Sequence, residues 1–255
     1  SGRILPYRWA MNACAKLAAV ELPYNAEVTE LHLGTSVFKG CTGIKTANIP
    51  SNVLKLNGAF AGCGSSLVVS YAGQTNQEDA NGFVTTDSGK RLVAYNGTAT
   101  EIVIPAGVET IGESVFVGKP ITKVTLPSSL KTIEWYAFQN CTALATIEFD
   151  GDSHLTVVGT EAFSGTALET VDLSTVVELG DKAFYNCKVL ASVTLNDNLT
   201  AIGASAFENC TALTAITLPS YLKTLGKAAF KASGLTSIVL PEALVCENGR
   251  WCIRE

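Results

Sequence analysis

Cysteine, histidine and carboxylate side chains are the groups in this sequence that could act as nucleophiles, proton carriers or metal ligands. The chain has eight cysteines and only two histidines, His32 and His154. No CxxC pair is present, which removes the usual spacing of a zinc knuckle. No GxSxG sequence is present, which removes the nucleophile elbow of many hydrolases. The sequence therefore predicts no cofactor and no enzyme, and a hydrolase stays open only as a site assembled across the fold.

The clearest set of possible metal ligands is acidic. Glu148, Asp150, Asp152 and His154 fall at every second position, so an extended backbone would place them on one side. Asp172 occupies the slot of Glu148 one repeat later, and together these oxygens could bind a hard cation such as Ca²⁺. The alternative is a solvated acidic patch, which we favour because no calcium-loop spacing is present. We predict no metal here and keep Glu148, Asp150 and Asp172 as candidate contacts for a macromolecular ligand.

The spacing of the cysteines reveals an internal repeat. A large apolar residue after a small one, which we call the anchor, recurs at intervals of 21 to 27 residues, with one gap of 56. Repeats of this length are typical of a solenoid, in which each unit buries its apolar side only by stacking on its neighbours. We call each unit a rung. The anchors are Met11, Phe38, Phe60, Phe116, Phe138, Phe163, Phe184, Phe207 and Phe230.

Six cysteines share one position, three residues after the anchor. They are Cys14, Cys41, Cys63, Cys141, Cys187 and Cys210. This fixed phase predicts a small buried slot, which a reduced cysteine fills well, and disulfides between rungs or redox chemistry are the alternatives. We therefore assign structural roles to Phe138, Phe184 and Phe207 and to Cys141, Cys187 and Cys210.

Each rung is predicted to have two halves. The stretch around the anchor is too short for a long helix and indicates one turn of α- or 3₁₀-helix. The position just before the cysteine is mostly Gly or Asn, which indicates a left-handed residue that ends this turn. The second half alternates in polarity and predicts one short strand per rung. The predicted strands are 17–22, 44–49, 101–104, 121–126, 144–149, 168–173, 190–195, 213–218 and 235–240.

The combined pattern is an Ile-Gly pair, two variable residues, Ala-Phe, two residues, Cys, and then LxxIxLP. It resembles the BspA-like (Treponema-type) leucine-rich-repeat family over nearly the whole chain. The resemblance implies an α/β repeat solenoid, a curved right-handed superhelix with short parallel strands on one face and short helical turns on the other. It also implies a secreted or surface-attached bacterial protein that takes part in adhesion or host-protein binding.

We predict a single solenoid domain over residues 1–255, interrupted by an insertion at about 72–99. Asn81-Gly82 and Ser88-Gly89 mark turns around two short apolar stretches, which predicts a hairpin-like element between rungs. Cys246 and Cys252 lie outside the cysteine slot. They would face each other across a three-residue loop but not across a two-residue turn, so a disulfide between them stays open.

Two surface features are the candidate binding residues. The outward position at the centre of each predicted strand holds small or acidic residues, among them Glu148, Asp172, Thr194 and Thr217. Thr is also simply a good strand residue. Trp135 and Tyr136 occupy slots that hold polar or small residues in other rungs, which predicts two exposed aromatic side chains. They would form a hot spot for a partner, or they would pack over neighbouring chain and serve stability.

Composition narrows the classes of partner. The formal net charge is −5, and charged residues make up 16% of the chain without a run of like charge, which disfavours nucleic acid. No continuous apolar stretch is long enough to cross a membrane. The start at Ser1-Gly2 leads us to expect a mature or trimmed chain.

The leading hypothesis is a monomeric, non-catalytic protein, secreted or at the cell surface, that binds an extracellular protein or, second, a glycan. A passive spacer within a larger surface protein is the alternative.

Overall fold

Short parallel strands stacked in successive rungs form the solenoid. The computed structural model describes residues 3–4, 11–22, 31–33, 36–50, 53–55, 59–60, 62–63, 67–72 and 76–244, with only the backbone of 3–4, 31–32 and 53–55. Most complete rungs carry two strands rather than the single predicted strand. We call the strand of the LxxIxL segment the front strand and the strand that ends at the Ile-Gly pair the back strand.

Front strands form in seven of the nine predicted segments, and an eighth, at 68–71, was not predicted. They form three groups, β2-β4-β6, β10-β12-β14 and β16-β18, all parallel. The predicted strands at 213–218 and 235–240 are wrong, since neither segment pairs as a strand. The front strands are β2 (Ala19–Glu21), β4 (Thr46–Ile49), β6 (Val68–Tyr71), β10 (Glu101–Val103), β12 (Lys123–Pro127), β14 (Thr146–Asp150), β16 (Thr170–Leu173) and β18 (Ser192–Leu195).

The back strands were not predicted, because all of them except β9 have only two or three residues, too few to show alternation. They form a continuous ladder from β9 to β20 and a separate group, β1-β3-β5. Their bounds are β1 (Arg3–Ile4), β3 (Leu31–His32), β5 (Val53–Lys55), β9 (Arg91–Tyr95), β11 (Thr110–Ile111), β13 (Thr132–Ile133), β15 (Val157–Val158), β17 (Glu178–Leu179), β19 (Ala201–Ile202) and β20 (Thr224–Leu225).

The glycine after each back strand permits close approach of neighbouring rungs. A Cβ added to Gly203 would lie 2.4 Å from the carbonyl carbon of Gly180 in the preceding rung. No real Cβ tolerates that distance to backbone, so the Ile-Gly pair is a packing requirement of the stack.

The predicted helical turn in each rung is wrong. Residues around the anchor form hydrogen-bonded turns, and the only helical element in the described part of the chain is a 3₁₀ turn, Glu242–Leu244. The reason is that backbone N–H groups of the turn donate to the next rung: Phe138 N to Ala162 O at 2.8 Å, and Asn140 N to Ser164 O at 2.8 Å. A backbone N–H that donates to the next rung is not available for a helical hydrogen bond within its own rung.

The predicted left-handed position is confirmed. All nine residues two places after an anchor have φ between 54° and 73°, including Asn140, Asn186 and Asn209. A second left-handed position lies two places before the anchor, where Ser36, Tyr136, Glu161 and others have φ between 53° and 62°. The sequence did not reveal this second site because its occupants are chemically diverse.

The anchors form two stacks of rings in the core. From Phe116 to Phe230, successive rings lie 4.8 to 5.5 Å apart and nearly parallel. Phe38 and Phe60 form a separate pair at 5.2 Å. The structural role assigned to Phe138, Phe184 and Phe207 agrees with their complete burial.

An antiparallel meander separates the two stacks. It comprises β7 (Gln77–Glu78), β8 (Phe83–Thr86) and β9, with turns at Asn81-Gly82 and Asp87–Gly89. Strand β9 also pairs in parallel with β11, so it substitutes for a back strand. Phe83 and Tyr95 continue the larger ring stack beyond Phe116.

Candidate functional site

The outward side chains of the front strands form an exposed surface, which we call the front face. Glu148, Asp150, Asp172 and Thr194 are exposed and lie on β14, β16 and β18, with Asp172 and Thr194 in register on neighbouring strands. Thr217 is also exposed, but its segment is not a strand. The structure thus gathers the acidic and threonine candidates on one side of the solenoid.

The front face is interrupted between β14 and β16. Strand β14 pairs only with β12, and β16 pairs only with β18. No backbone hydrogen bond joins 144–150 to 168–173, both fully described segments. On the other side of the same rungs, β15 and β17 remain paired. The rungs therefore stay together at the back and separate at the front.

A cleft of about 150 Å³ lies at this interruption. Its walls include the half-buried side chains of Ile147, Phe149 and Val171, and the carboxylates of Glu148 and Asp172 are part of its lining. Asp150, although exposed on the same strand, does not line it. Two of the predicted acidic residues therefore meet at one apolar opening.

The two carboxylates differ in their partners. Glu148 forms a salt bridge with Lys123 Nζ at 2.7 Å. Asp172 accepts a hydrogen bond from the backbone N–H of Ser174 at 2.9 Å, and no lysine or arginine of the described chain pairs with it. The front face thus keeps negative charge beside the cleft.

The acidic residues at alternating positions do not come together as metal ligands. His154 lies exposed with its Nδ1 2.9 Å from the carbonyl oxygen of Ser128. Within the described residues no three His, Cys, Asp or Glu side chains form a group able to hold a metal ion. The side chain of His32 lies outside the described residues.

The prediction for Trp135 and Tyr136 is wrong for Tyr136. Its side chain is only 5% exposed, and burial, followed by the nearby carboxylates of Glu161 and Glu113, raises its pKa to about 12, although a hydrogen bond with Ser36 acts in the opposite direction. Trp135 is half-buried and meets Tyr136 edge-on at 6.5 Å. Tyr136 therefore joins two parts of the chain, as the stability alternative requires.

Other polar contacts join the rungs before the meander to those after it. Arg91 Nη2 lies 2.6 Å from Glu134 Oε1, and Arg91 Nε donates to the hydroxyl of Tyr71 at 3.3 Å. The buried Glu113 accepts a hydrogen bond from the backbone N–H of Phe60 at 3.0 Å. We call these contacts and Ser36–Tyr136 the junction. No sequence pattern predicted the junction, because its paired residues either lie 43 to 100 positions apart or include a residue of the insertion.

The six cysteines of the slot form no disulfide, and all of them except Cys14 of the first rung are buried. Cys41, Cys63, Cys141, Cys187 and Cys210 are at most 1% exposed, and Cys14 is intermediate. Each buried thiol donates to the carbonyl of the preceding anchor, as Cys141 does to Phe116 O at 2.9 Å. Burial raises the pKa of Cys141 and of Cys210 to about 12. Both are thiols at neutral pH, the form that does not attack as a nucleophile.

The family follows from the repeat itself. The sequence profile of the BspA-type leucine-rich-repeat region matches this chain in six copies, over residues 7–83, 91–178 and 156–249. The chain belongs to the BspA-type leucine-rich-repeat family. No curated protein matches it significantly.

Solved structures of leucine-rich-repeat proteins support the architecture. A leucine-rich-repeat protein from Eubacterium ventriosum has 24% identity and a TM-score of 0.53, and the match covers 91% of this chain and 68% of that one. A leucine-rich cell-surface protein from Faecalibacterium prausnitzii also has 24% identity, with a TM-score of 0.50, and the match covers 84% of this chain. It spans only 60% of the Faecalibacterium protein. At these identities the likeness shows the fold alone.

A second depression in this BspA-type chain lies beside the meander. It encloses about 620 Å³ and is polar, with Glu78, Asp79, Asn81, Asn96 and Glu101 in its lining. Asn96 donates to Glu78 at 3.1 Å, and Asp79 accepts from the backbone of Asn81 and Phe83. Phe83 and Tyr95 border it but are buried. The depression therefore offers hydrogen-bonding groups without an exposed aromatic platform.

Cys246 and Cys252 lie outside the described residues, so a disulfide between them stays a prediction. No described helix is long and apolar enough to cross a membrane.

Proposed function

We propose that this chain is a non-catalytic binding module of a bacterial cell-surface protein and that it recognises another protein through the front face. The observation that carries the proposal is the front face itself: exposed acidic and threonine side chains on β14, β16 and β18, interrupted by an apolar cleft. Repeat proteins commonly bind partners across such extended surfaces, and exposed apolar area set among polar residues is typical of interaction sites. The Faecalibacterium relative is itself named a cell-surface protein.

The fold suits this role because the residues that stabilise the rungs differ from those on the exposed front face. Residues that fix the rungs, such as Phe207 and Cys210, are fully buried. The outward residues Asp172 and Thr194 are exposed in register on paired strands, outside the packed core. Side chains on the front face can therefore differ between rungs while the scaffold stays unchanged.

The test compares two matched variants for binding to immobilised extracellular-matrix and mucosal proteins. The front variant carries Glu148→Ala, Asp172→Ala and Thr194→Ala. The control carries Glu178→Ala, which is exposed on the back strand β17. We expect the front variant to lose at least tenfold in affinity, about 1.4 kcal/mol, for the bound partner, while the control binds normally. No saturable binding at micromolar concentration, or equal loss in both variants, would overturn the proposal.

A glycan is the second candidate partner, and the polar depression beside the meander favours it. Its carboxylate and amide groups suit sugar hydroxyls, but its aromatic side chains are buried rather than available for stacking. A glycan array probed with the parent chain and with Asn81→Ala separates the two proposals. Binding lost only in Asn81→Ala would favour the glycan, and an array without signal would exclude it at this site.

A further inference from the structure

The opening between β14 and β16 has a local cause in the chain. The interval from Phe138 to Phe163 is 25 residues, against 21 from Phe163 to Phe184. Three of the four extra residues lie between the start of the front segment and β15. Gly151, directly after β14, has a φ of +96°. Since β13, β15 and β17 stay in register, the added length is accommodated at the front. The cleft is therefore built into one rung.

The size and lining of the cleft suit one apolar side chain. About 150 Å³ is the volume of an engineered apolar protein cavity known to accept benzene. Ile147, Phe149 and Val171 line the opening, and the buried Leu126 and Phe163 lie deeper. A Leu or Phe side chain placed there would remove the three half-buried side chains from water, which is favourable at about 25 cal/mol per Å² of apolar area.

The charge at the opening selects the neighbours of that side chain. Glu148 and Asp172 line the same cleft. Glu148 already forms a salt bridge with Lys123 at 2.7 Å. Asp172 forms none with any lysine or arginine among the described residues. A lysine or arginine beside the apolar side chain would meet negative charge, and a glutamate or aspartate there would be repelled.

We propose that the cleft receives a single Leu- or Phe-sized side chain of a partner polypeptide in which Lys or Arg adjoins that residue. The proposal rests on the proposed function, since it names the anchor point and the chemistry of the protein partner on the front face. Specificity comes from both the apolar fit and the rejection of acidic flanks.

Short peptides test the cleft without the natural partner. The probes are acetyl-Lys-Phe-Lys-amide, acetyl-Glu-Phe-Glu-amide and acetyl-Lys-Gly-Lys-amide, titrated to millimolar concentration against the chain with labelled Ile and Val methyl groups. We expect the Lys-Phe-Lys peptide to shift the methyl resonances of Ile147 and Val171. The acidic peptide should bind about tenfold more weakly and the glycine peptide should give no saturable shift.

Two pairs of variants locate the binding. Val171→Phe fills the cleft, and Val193→Phe makes the same change at the residue in register one strand on, outside the cleft. Asp172→Asn removes charge at the cleft, and Asp197→Asn removes it from an exposed position that does not line the cleft. Peptide binding should be lost in Val171→Phe and weakened about threefold in Asp172→Asn, and it should be unchanged in Val193→Phe and Asp197→Asn.

The outcomes distinguish this proposal from the function on which it rests. Equal binding of basic and acidic peptides, or shifts that persist in a folded Val171→Phe, overturns the cleft assignment. So does self-association that Val171→Phe abolishes, since the occupant would then be a second copy. If Val171→Phe fails to fold, the comparison of Asp172→Asn with Asp197→Asn still decides the question. A protein partner that binds Val171→Phe and Asp172→Asn as well as it binds the parent overturns the cleft assignment but keeps the proposed function.

Discussion

The buried thiols should make the solenoid labile to alkali, and replacing two of them should reduce that lability. Burial raises the pKa of Cys141 and Cys210 from 9.0 to about 12. In the unfolded chain these thiols lose their protons from about pH 9 upward, whereas in the folded chain they keep them. Above pH 9 the unfolded state thus binds fewer protons than the native state, so the free energy of unfolding falls as pH rises.

The magnitude follows from the two pKa values. Between pH 8 and pH 10, well below the folded value of about 12, each thiol contributes a loss of about 1.4 kcal/mol to the free energy of unfolding. The double variant Cys141→Thr with Cys210→Thr removes both terms. Threonine is the replacement because Thr166 already occupies this slot, with 4% exposure and a hydrogen bond to Phe163 O at 2.9 Å.

The assay is urea unfolding followed by circular dichroism at pH 7, 8, 9 and 10, with reductant present. Values at pH 7 give the fixed cost of the substitutions, and only the change with pH tests the reasoning. We expect the parent to lose about 3 kcal/mol more than the double variant between pH 8 and pH 10. Parallel loss in parent and variant would refute it, because the slot thiols would then ionise in the folded chain as they do in water.

Three further substitutions test the packing. Gly203→Ala should lower the free energy of unfolding by about 3 kcal/mol or more, because its Cβ would lie 2.4 Å from backbone. Phe184→Leu should cost about 1 to 3 kcal/mol by opening a gap between rings 5.4 and 5.5 Å away. Arg91→Met should cost about 1 to 3 kcal/mol by leaving Glu134 without its ion pair. Urea unfolding at pH 7 measures all three.

Each of these substitutions has its own control. Gly89→Ala is the control for Gly203→Ala because no atom lies within 4 Å of its added Cβ. Its cost should come from backbone strain at φ +87° alone, about 1 to 2 kcal/mol. If both glycine variants cost the same, close approach of the rungs is not the reason for the Ile-Gly pair. A Phe184→Leu variant as stable as the parent would show that the ring stack is dispensable. Arg91→Met with Glu134→Gln, if no more stable than Arg91→Met alone, would contradict the role of the ion pair.

Sequence predicted the elements whose residue types repeat, and it missed those that leave no repeated residue pattern. The anchors, the cysteine slot and the left-handed residue before it were recognisable because nine rungs report the same environment. The back strands were missed because residues such as Thr132 and Ile133 are too few to show a period. Two predicted strands, including 213–218, were wrong because alternation establishes which face is buried but not whether a neighbouring backbone is close enough to pair.

The candidate site was predicted in part for the same reason. Glu148 and Asp172 were recognisable as outward residues, but the cleft between them depends on how a longer rung is accommodated, which spacing alone does not give. Tyr136 was predicted to be exposed because its slot is polar elsewhere. The substitution of a large aromatic residue in that slot instead marks contact with Ser36, far away in sequence.

The junction also sets how this chain would respond to mechanical load. Neighbouring rungs are joined by repeated backbone bonds, as Tyr136, Phe138 and Asn140 are to the rung that follows. At Phe60 the backbone N–H instead meets the carboxylate of Glu113, and the two ring stacks do not touch across this point. A stretching force along the solenoid axis would therefore separate the molecule at the junction first, leaving two shorter stacks that extend one after the other. Under such a load the junction would yield before the repeats themselves unravel.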